Sequence, residues 1–172
     1  MDLLHFEASD LYFEQADSPE VEALIQSASV LYGSGEAELP LLKAYVRAPQ
    51  SLNVLVALNR FYYYQHRLEE ALMMAEQALV LIRCGLGFPT DWQQIDLQIL
   101  REAPNSSLTR IRLYLFTLKS IGFLHMRLEH LPLSQAIFQK LVELDEKDRI
   151  GAQALLDLVE QRLQAETIGD LA

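Results

Sequence analysis

The feature that most narrows the fold is a set of small and apolar side chains that recurs at fixed offsets. Leu55, Leu58, Tyr62, Ala71, Ala75 and Ala78 return at an offset of +63 as Leu118, Ile121, His125, Ser134, Phe138 and Leu141. At an offset of −34 the same set stands as Val21, Leu24, Ala28, Ala37, Leu41 and Ala44. Apart from His125, every one of these positions is apolar or small. Steps of three and four place each triplet on one face of a helix. Each set therefore describes two helices that touch where a small side chain lets their axes approach. A lone pair of helices cannot bury its apolar face, so such units stack. The longer offset exceeds the shorter one, and the difference leaves 86–114 as an insertion between the second and third units.

Capping and breaking residues set the expected helices. Ser18 as N-cap, Pro19 at the first helical position and Gly33 as the stop frame the first. The second runs from about 36 to 47, with Pro40 in its first turn and Pro49 beyond its end. Helices over 52–65 and 68–83 follow. "CGLGFPTDW" breaks the pattern, and "QQIDLQILREAPNSS" is read as a short helix ended by Pro104. A long helix from Ser107 to about 128 comes next, then one with Pro132 near its start, then a last one over about 148–166. No stretch alternates as a strand would. The class is all-α, one domain of antiparallel helix pairs.

A helix–turn–helix period of about 34 is that of the tetratricopeptide repeat. "LVALNRFYYYQHRLEEALMMAEQALVL" resembles this family closely, and so does "LFTLKSIGFLHMRLEHLPLSQAIFQKLVELDEKD", with Gly122 and Phe138 at its small and aromatic positions. Ala37 and Ala44 match its alanines in the first unit, and Pro49 falls where the family often closes a repeat. The resemblance implies repeats at 18–51, 52–85 and 115–148, a short right-handed superhelix, and a capping helix at 149–166. Ile25 and Asn59 depart from the family's very small residue, Ala28 from its aromatic and Ser134 from its alanine.

"FYYY" ends the first helix of the second repeat. Consecutive residues on a helix point about 100° apart, so Tyr62, Tyr63 and Tyr64 have three different surroundings. The resemblance puts Tyr62 in the core. It also implies that first helices line a concave groove that binds a partner. The residues it carries onto that face are Asn53, Val56, Arg60, Tyr63 and Tyr64 in the second repeat, and Phe116, Lys119, Phe123, Met126 and Arg127 in the third. Aromatic rings beside arginine are the composition of binding hot spots, and Arg60, Lys119 and Arg127 suit a peptide carboxylate. Packing of Tyr63 and Tyr64 under the insertion or the N-terminal segment, and pairing of the cations with local glutamates, stay open.

Little in the sequence points to catalysis, a cofactor or a metal. His125 and His130 are five apart, not the four of a helical zinc pair, and His125 is expected in the core. His66 falls at a turn where positive φ is common. "GLG" at Gly85–Gly87 follows a helix, not a strand, so it is no phosphate loop. Cys84 is the single cysteine, which rules out an internal disulfide or a cysteine-based cluster. Ser106, Ser107 and Thr109 are expected as caps, and Met73, Met74 and Met126 as core. A net charge of −10 disfavours nucleic acid. No segment suits a membrane span, "MDLLHFEASD" does not read as a secretory signal, and the cytoplasm is the expected compartment. Trp92 is expected under the insertion or on a partner surface. The N-terminal Phe6, Leu11, Tyr12 and Phe13 can dock on the domain, pair two subunits or stay loose.

The expected function is a protein-interaction module, an adaptor or assembly chaperone for a peptide or helix of another protein. In size and layout the chain loosely resembles bacterial type III secretion chaperones. The alternatives are a structural homodimer built on the N-terminal segment and, further off, a metal-binding or enzymatic helical protein.

Overall fold

The computed structural model describes residues 16–32, 35–104 and 107–169. The expected roles of the N-terminal aromatics, Gly33 and Ser106 lie outside them. The described residues form eight α-helices and no strand. They are α1 (Pro19–Leu31), α2 (Glu38–Arg47), α3 (Leu52–Tyr64), α4 (Leu68–Leu86), α5 (Leu97–Glu102), α6 (Leu108–Arg127), α7 (Leu131–Leu144) and α8 (Gln153–Gly169). The all-α class expected from the sequence is thus observed. The chain divides into two compact units, residues 1–81 and 82–172.

In the first unit the start of α1 is built as expected. Ser18 is the N-cap, its hydroxyl accepts the Val21 N–H at 3.4 Å, and Pro19 is at the first position. Ser51 caps α3 in the same way, accepting the Val54 N–H at 3.2 Å. α2 begins slightly later than expected, and its N-cap, Ala37, has no side chain to accept a bond. α1 packs on α2, and α2 on α3. At the α3–α4 approach the buried Asn59 amide donates to the Ala71 carbonyl at 2.7 Å.

In the second unit α6 packs on α7, and α7 on α8. Here the direction of the equivalent bond is reversed: the buried Ser134 hydroxyl donates to the Gly122 carbonyl at 2.8 Å. Positions 122 and 134 are 59 and 71 shifted by the longer offset. The turns repeat too. His66 has φ 58° and Glu129, at the same offset, has φ 62°. Arg67 N–H donates to the Tyr62 carbonyl at 2.9 Å, and His130 N–H to that of His125 at 2.9 Å. His66 N–H reaches the Tyr63 carbonyl at 3.1 Å, and Glu129 N–H that of Met126 at 3.3 Å. Both are Schellman closures, in which a left-handed residue lets the chain satisfy the orphan carbonyls of a helix end. The positions that set the offsets are all buried except Leu24, which is half-buried.

The segment between α4 and α6 is tied down by its own short elements. Asp91 caps a single 3-10 turn at Trp92–Gln94, and Asp96 caps α5. Ile95 is fully buried, and the Phe88 ring meets Tyr114 edge-on at 5.5 Å. Trp92 is half-buried, between its two expected extremes. Two helices differ from expectation. α4 runs to Leu86, past Cys84, and α8 starts at Gln153 because Asp148 and Gly151 take positive φ before it. Ser107 makes no side-chain capping bond to α6.

The close approach at residue 122 makes a strong prediction. A Cβ there would lie 2.9 Å from Ile137 Cγ2 and 3.0 Å from a Phe138 ring carbon, both in the packed core. Gly122→Ala is expected to lower unfolding free energy by about 2 kcal/mol by overpacking, read by denaturant titration. A Cβ at Gly85 meets only the far end of the Arg110 side chain, at 2.7 Å, so Gly85→Ala is expected to be neutral or up to about 1 kcal/mol stabilising through helix propensity. The Tyr114 hydroxyl is buried with no hydrogen-bond partner among the described residues, and burial pushes its pKa up to about 12. Tyr114→Phe is therefore expected to leave stability unchanged or raise it by about 1 kcal/mol, in the same titration.

Candidate interaction faces on α3 and α6

On α3 the three tyrosines do three things. Tyr62 is 6% exposed and packs edge-on against Phe61 at 5.6 Å. The Arg67 guanidinium covers its ring at 4.5 Å and is itself held by Glu38 at 2.7 Å and Glu70 at 2.8 Å. The hydrogen bond from Arg67 keeps the Glu70 carboxyl below its ordinary range. Tyr63 is half-buried, and Tyr64 is 45% exposed. Their rings meet at 5.5 Å and 75°, and the exposed Arg60 lies over Tyr64 at 5.8 Å. Arg60, Tyr63 and Tyr64 thus form one aromatic–cation cluster at the C-terminal end of α3. Val56 is half-buried one turn before it.

Asn53 has a structural task. Its amide donates to Asp17 Oδ2 at 2.8 Å, and the Ser51 hydroxyl donates to the same oxygen at 2.8 Å. Beneath the cluster, the Tyr32 hydroxyl donates to the Ala57 carbonyl at 3.2 Å and its ring meets Phe61 at 5.8 Å. Burial, opposed by the Arg60 charge, pushes the Tyr32 pKa up to about 12.

On α6 the five expected residues separate. Phe116 and Phe123 are half-buried and Arg127 is exposed. Met126 is 3% exposed, so it belongs to the packed interior and not to a surface. The Lys119 ammonium donates to the Ile150 carbonyl at 2.6 Å, which fastens the α7–α8 connection. Burial lowers its pKa, with Asp148 acting the other way. A cation missing from the sequence reading is Arg112, exposed, whose guanidinium lies 5.6 Å over the Phe116 ring. Its spacing of four from Phe116 was the available signal.

The two histidines at the α6–α7 turn are close neighbours. His125 Nδ1 and His130 Nδ1 are 3.1 Å apart, so one ring donates and the other accepts. Glu129 beside them is engaged by Arg162 at 2.5 Å. No group of three or more His, Cys, Asp or Glu side chains among the described residues is placed to hold a metal ion. Burial first, and the neighbouring His130 second, lower the His125 pKa from 6.5. With the folded-state pKa below the unfolded one, the unfolded chain binds the extra proton as pH falls through about 6.5, and stability declines with it. His125→Tyr, which copies Tyr62 at the equivalent position, is expected to flatten the dependence of unfolding free energy on pH between about 7 and 5, measured by denaturant titration at each pH.

No family model matches the chain. No helix among the described residues is long and apolar enough to cross a membrane. The chain is 42% identical over 159 residues to a protein of Azotobacter chroococcum mcd 1 described as an uncharacterized 19.8 kDa protein in the nifW 5′ region; the match covers 92% of this chain and 89% of that protein. An identity of this level over 92% of the chain places it in the same family as the Azotobacter protein.

Proposed function

We propose that the chain is a non-enzymatic, tetratricopeptide-repeat-like interaction module of the cytoplasm, an adaptor or assembly chaperone that holds a peptide or helix of another protein. The observation that carries this reading is the Arg60–Tyr63–Tyr64 cluster: two rings at 5.5 Å with a guanidinium over one of them. Large rings with few rotatable bonds and a planar cation give contact area and hydrogen-bond donors at low entropic cost. On a chain of net charge −10, a cation held in an aromatic setting favours a segment bearing a carboxylate. Arg112, Phe116, Phe123 and Arg127 give α6 the same composition. The matching bonds at 59/71 and 122/134, and the matching turns at 66 and 129, support the repeat reading on which the choice of these helices rests.

The relative's gene lies 5′ of nifW, so the nifW product is the first partner to test. Binding is measured by calorimetry with that product and with proteins captured from the source cell. Arg60→Glu/Tyr64→Ala is expected to weaken a true partner by on the order of 30-fold while the far-UV circular dichroism spectrum shows the variant still folded. A partner that binds this variant and the wild type equally removes the α3 face from the function, and so does the absence of any specific partner.

A further inference from the structure

A second surface of the first unit has a different chemistry. α2 exposes Leu39 (60%), Leu42 (38%) and Val46 (79%), a ridge at steps of three and four. α4 exposes Met73 and Val80, each 50%. Met73 repeats Leu39 at the shorter offset, and Val80 repeats Val46. The two helices lie side by side. The Tyr45 hydroxyl donates to Gln77 Oε1 at 2.9 Å, and Arg67, just before α4, reaches Glu38 at the start of α2 at 2.7 Å. The exposed apolar residues thus form two parallel rows on one face. At the longer offset, in 115–148, the positions equivalent to Met73 and Val80 are Ala136 and Glu143, a methyl group and a carboxylate. The repeat itself therefore does not require a row of large apolar side chains there.

Each row carries one charge at its centre. Lys43 stands between Leu39 and Val46, and Glu76 between Met73 and Val80. Both are exposed, and neither has an ion-pair partner among the described residues. One row with a cation beside one row with a carboxylate, both of the same length, is a pattern that becomes its own complement on rotation by a half-turn about an axis running along the face between α2 and α4. A partner with a single uniform stripe would leave one of the two charges against apolar surface. A second copy satisfies both.

We infer that the chain forms a two-fold dimer through the α2–α4 face of its first unit, with Leu39, Leu42 and Val46 of one copy over Met73 and Val80 of the other, and Lys43 opposite Glu76. The contact is isologous, so each ion pair forms twice. Partial desolvation by its neighbours already raises the Glu76 carboxyl above its ordinary value, and a lysine from the other copy relieves that. The face lies on second helices, so it does not depend on the α3 and α6 reading above, and failure of either leaves the other standing.

The test is light scattering coupled to size exclusion, and sedimentation equilibrium, on the full chain. A dimer is expected for the wild type. Val46→Glu is expected to yield a folded monomer, with the fold checked by circular dichroism. Lys43→Glu and Glu76→Lys are each expected to weaken the dimer by on the order of 10-fold or more, and Lys43→Glu/Glu76→Lys together to restore it, a rescue that general destabilisation cannot produce. Arg60→Glu/Tyr64→Ala is expected to leave the dimer intact. A wild type that stays monomeric overturns the proposal. So does a dimer indifferent to Val46→Glu, or one that the double reversal does not restore.

Discussion

The close approach of paired helices at two points governs what the rest of the chain can do. At each point a side chain crosses from one helix to a backbone carbonyl of the other, Asn59 to Ala71 and Ser134 to Gly122. A helix carbonyl already accepts its own ladder bond, and its second lone pair is orphaned when another helix covers it. A buried donor from the facing helix satisfies that lone pair and is itself satisfied. The distance between axes follows from this bond and from the small residues beside it. Once the axes are fixed, the residues facing inward are fixed too, and so are the turns, which close with a left-handed residue at the matching positions 66 and 129.

This bond also explains two departures from the repeat pattern. Asn59 occupies a place where a very small side chain is expected, and Ser134 a place where alanine is. Each would be a buried polar liability on its own. In one pair the donor sits on the first helix and in the other on the second, so either helix can supply it. His125 is a third polar residue at a core position, 7% exposed, and it is satisfied by His130 across the turn.

The core was legible in the sequence because burial on a helix leaves a period, and the period here repeats at two offsets. The ends were less so. Ser18 and Ser51 announce α1 and α3 because their hydroxyls accept the bonds, whereas α2 starts at Glu38 behind Ala37, which carries no capping group. α8 starts late because Asp145 and Asp148 hold the preceding loop through the N–H groups of Ile150 and Ala152, bonds that leave no mark on periodicity. For the candidate faces, the resemblance named ten residues by their direction on a helix, and direction does not show what each side chain is engaged with. Asn53 is spent on Asp17, Lys119 on Ile150, and Met126 on the interior. A residue's direction on a helix can be counted, but the loop that comes back to meet it cannot.

Pairing of helices gives the first and second members of each pair unlike surfaces. In the first unit α3 presents aromatic rings with a guanidinium, a surface suited to a polar, extended or acidic segment that binds and leaves. α2 and α4 present aliphatic rows with single charges, a surface whose exposure in water is unfavourable by roughly 25 cal/mol per Å² of apolar area. Such a surface favours a lasting partner over a transient one, since permanent interfaces are the more apolar kind. The two chemistries sit on different helices because a helix whose inner face is committed to the core has only its outer face left to vary. A net charge of −10 opposes association of like copies, so a contact between them needs cation placed against carboxylate. Under the two proposals, a partner segment and a second copy of the chain would engage different helices, so neither would compete with the other for the same residues.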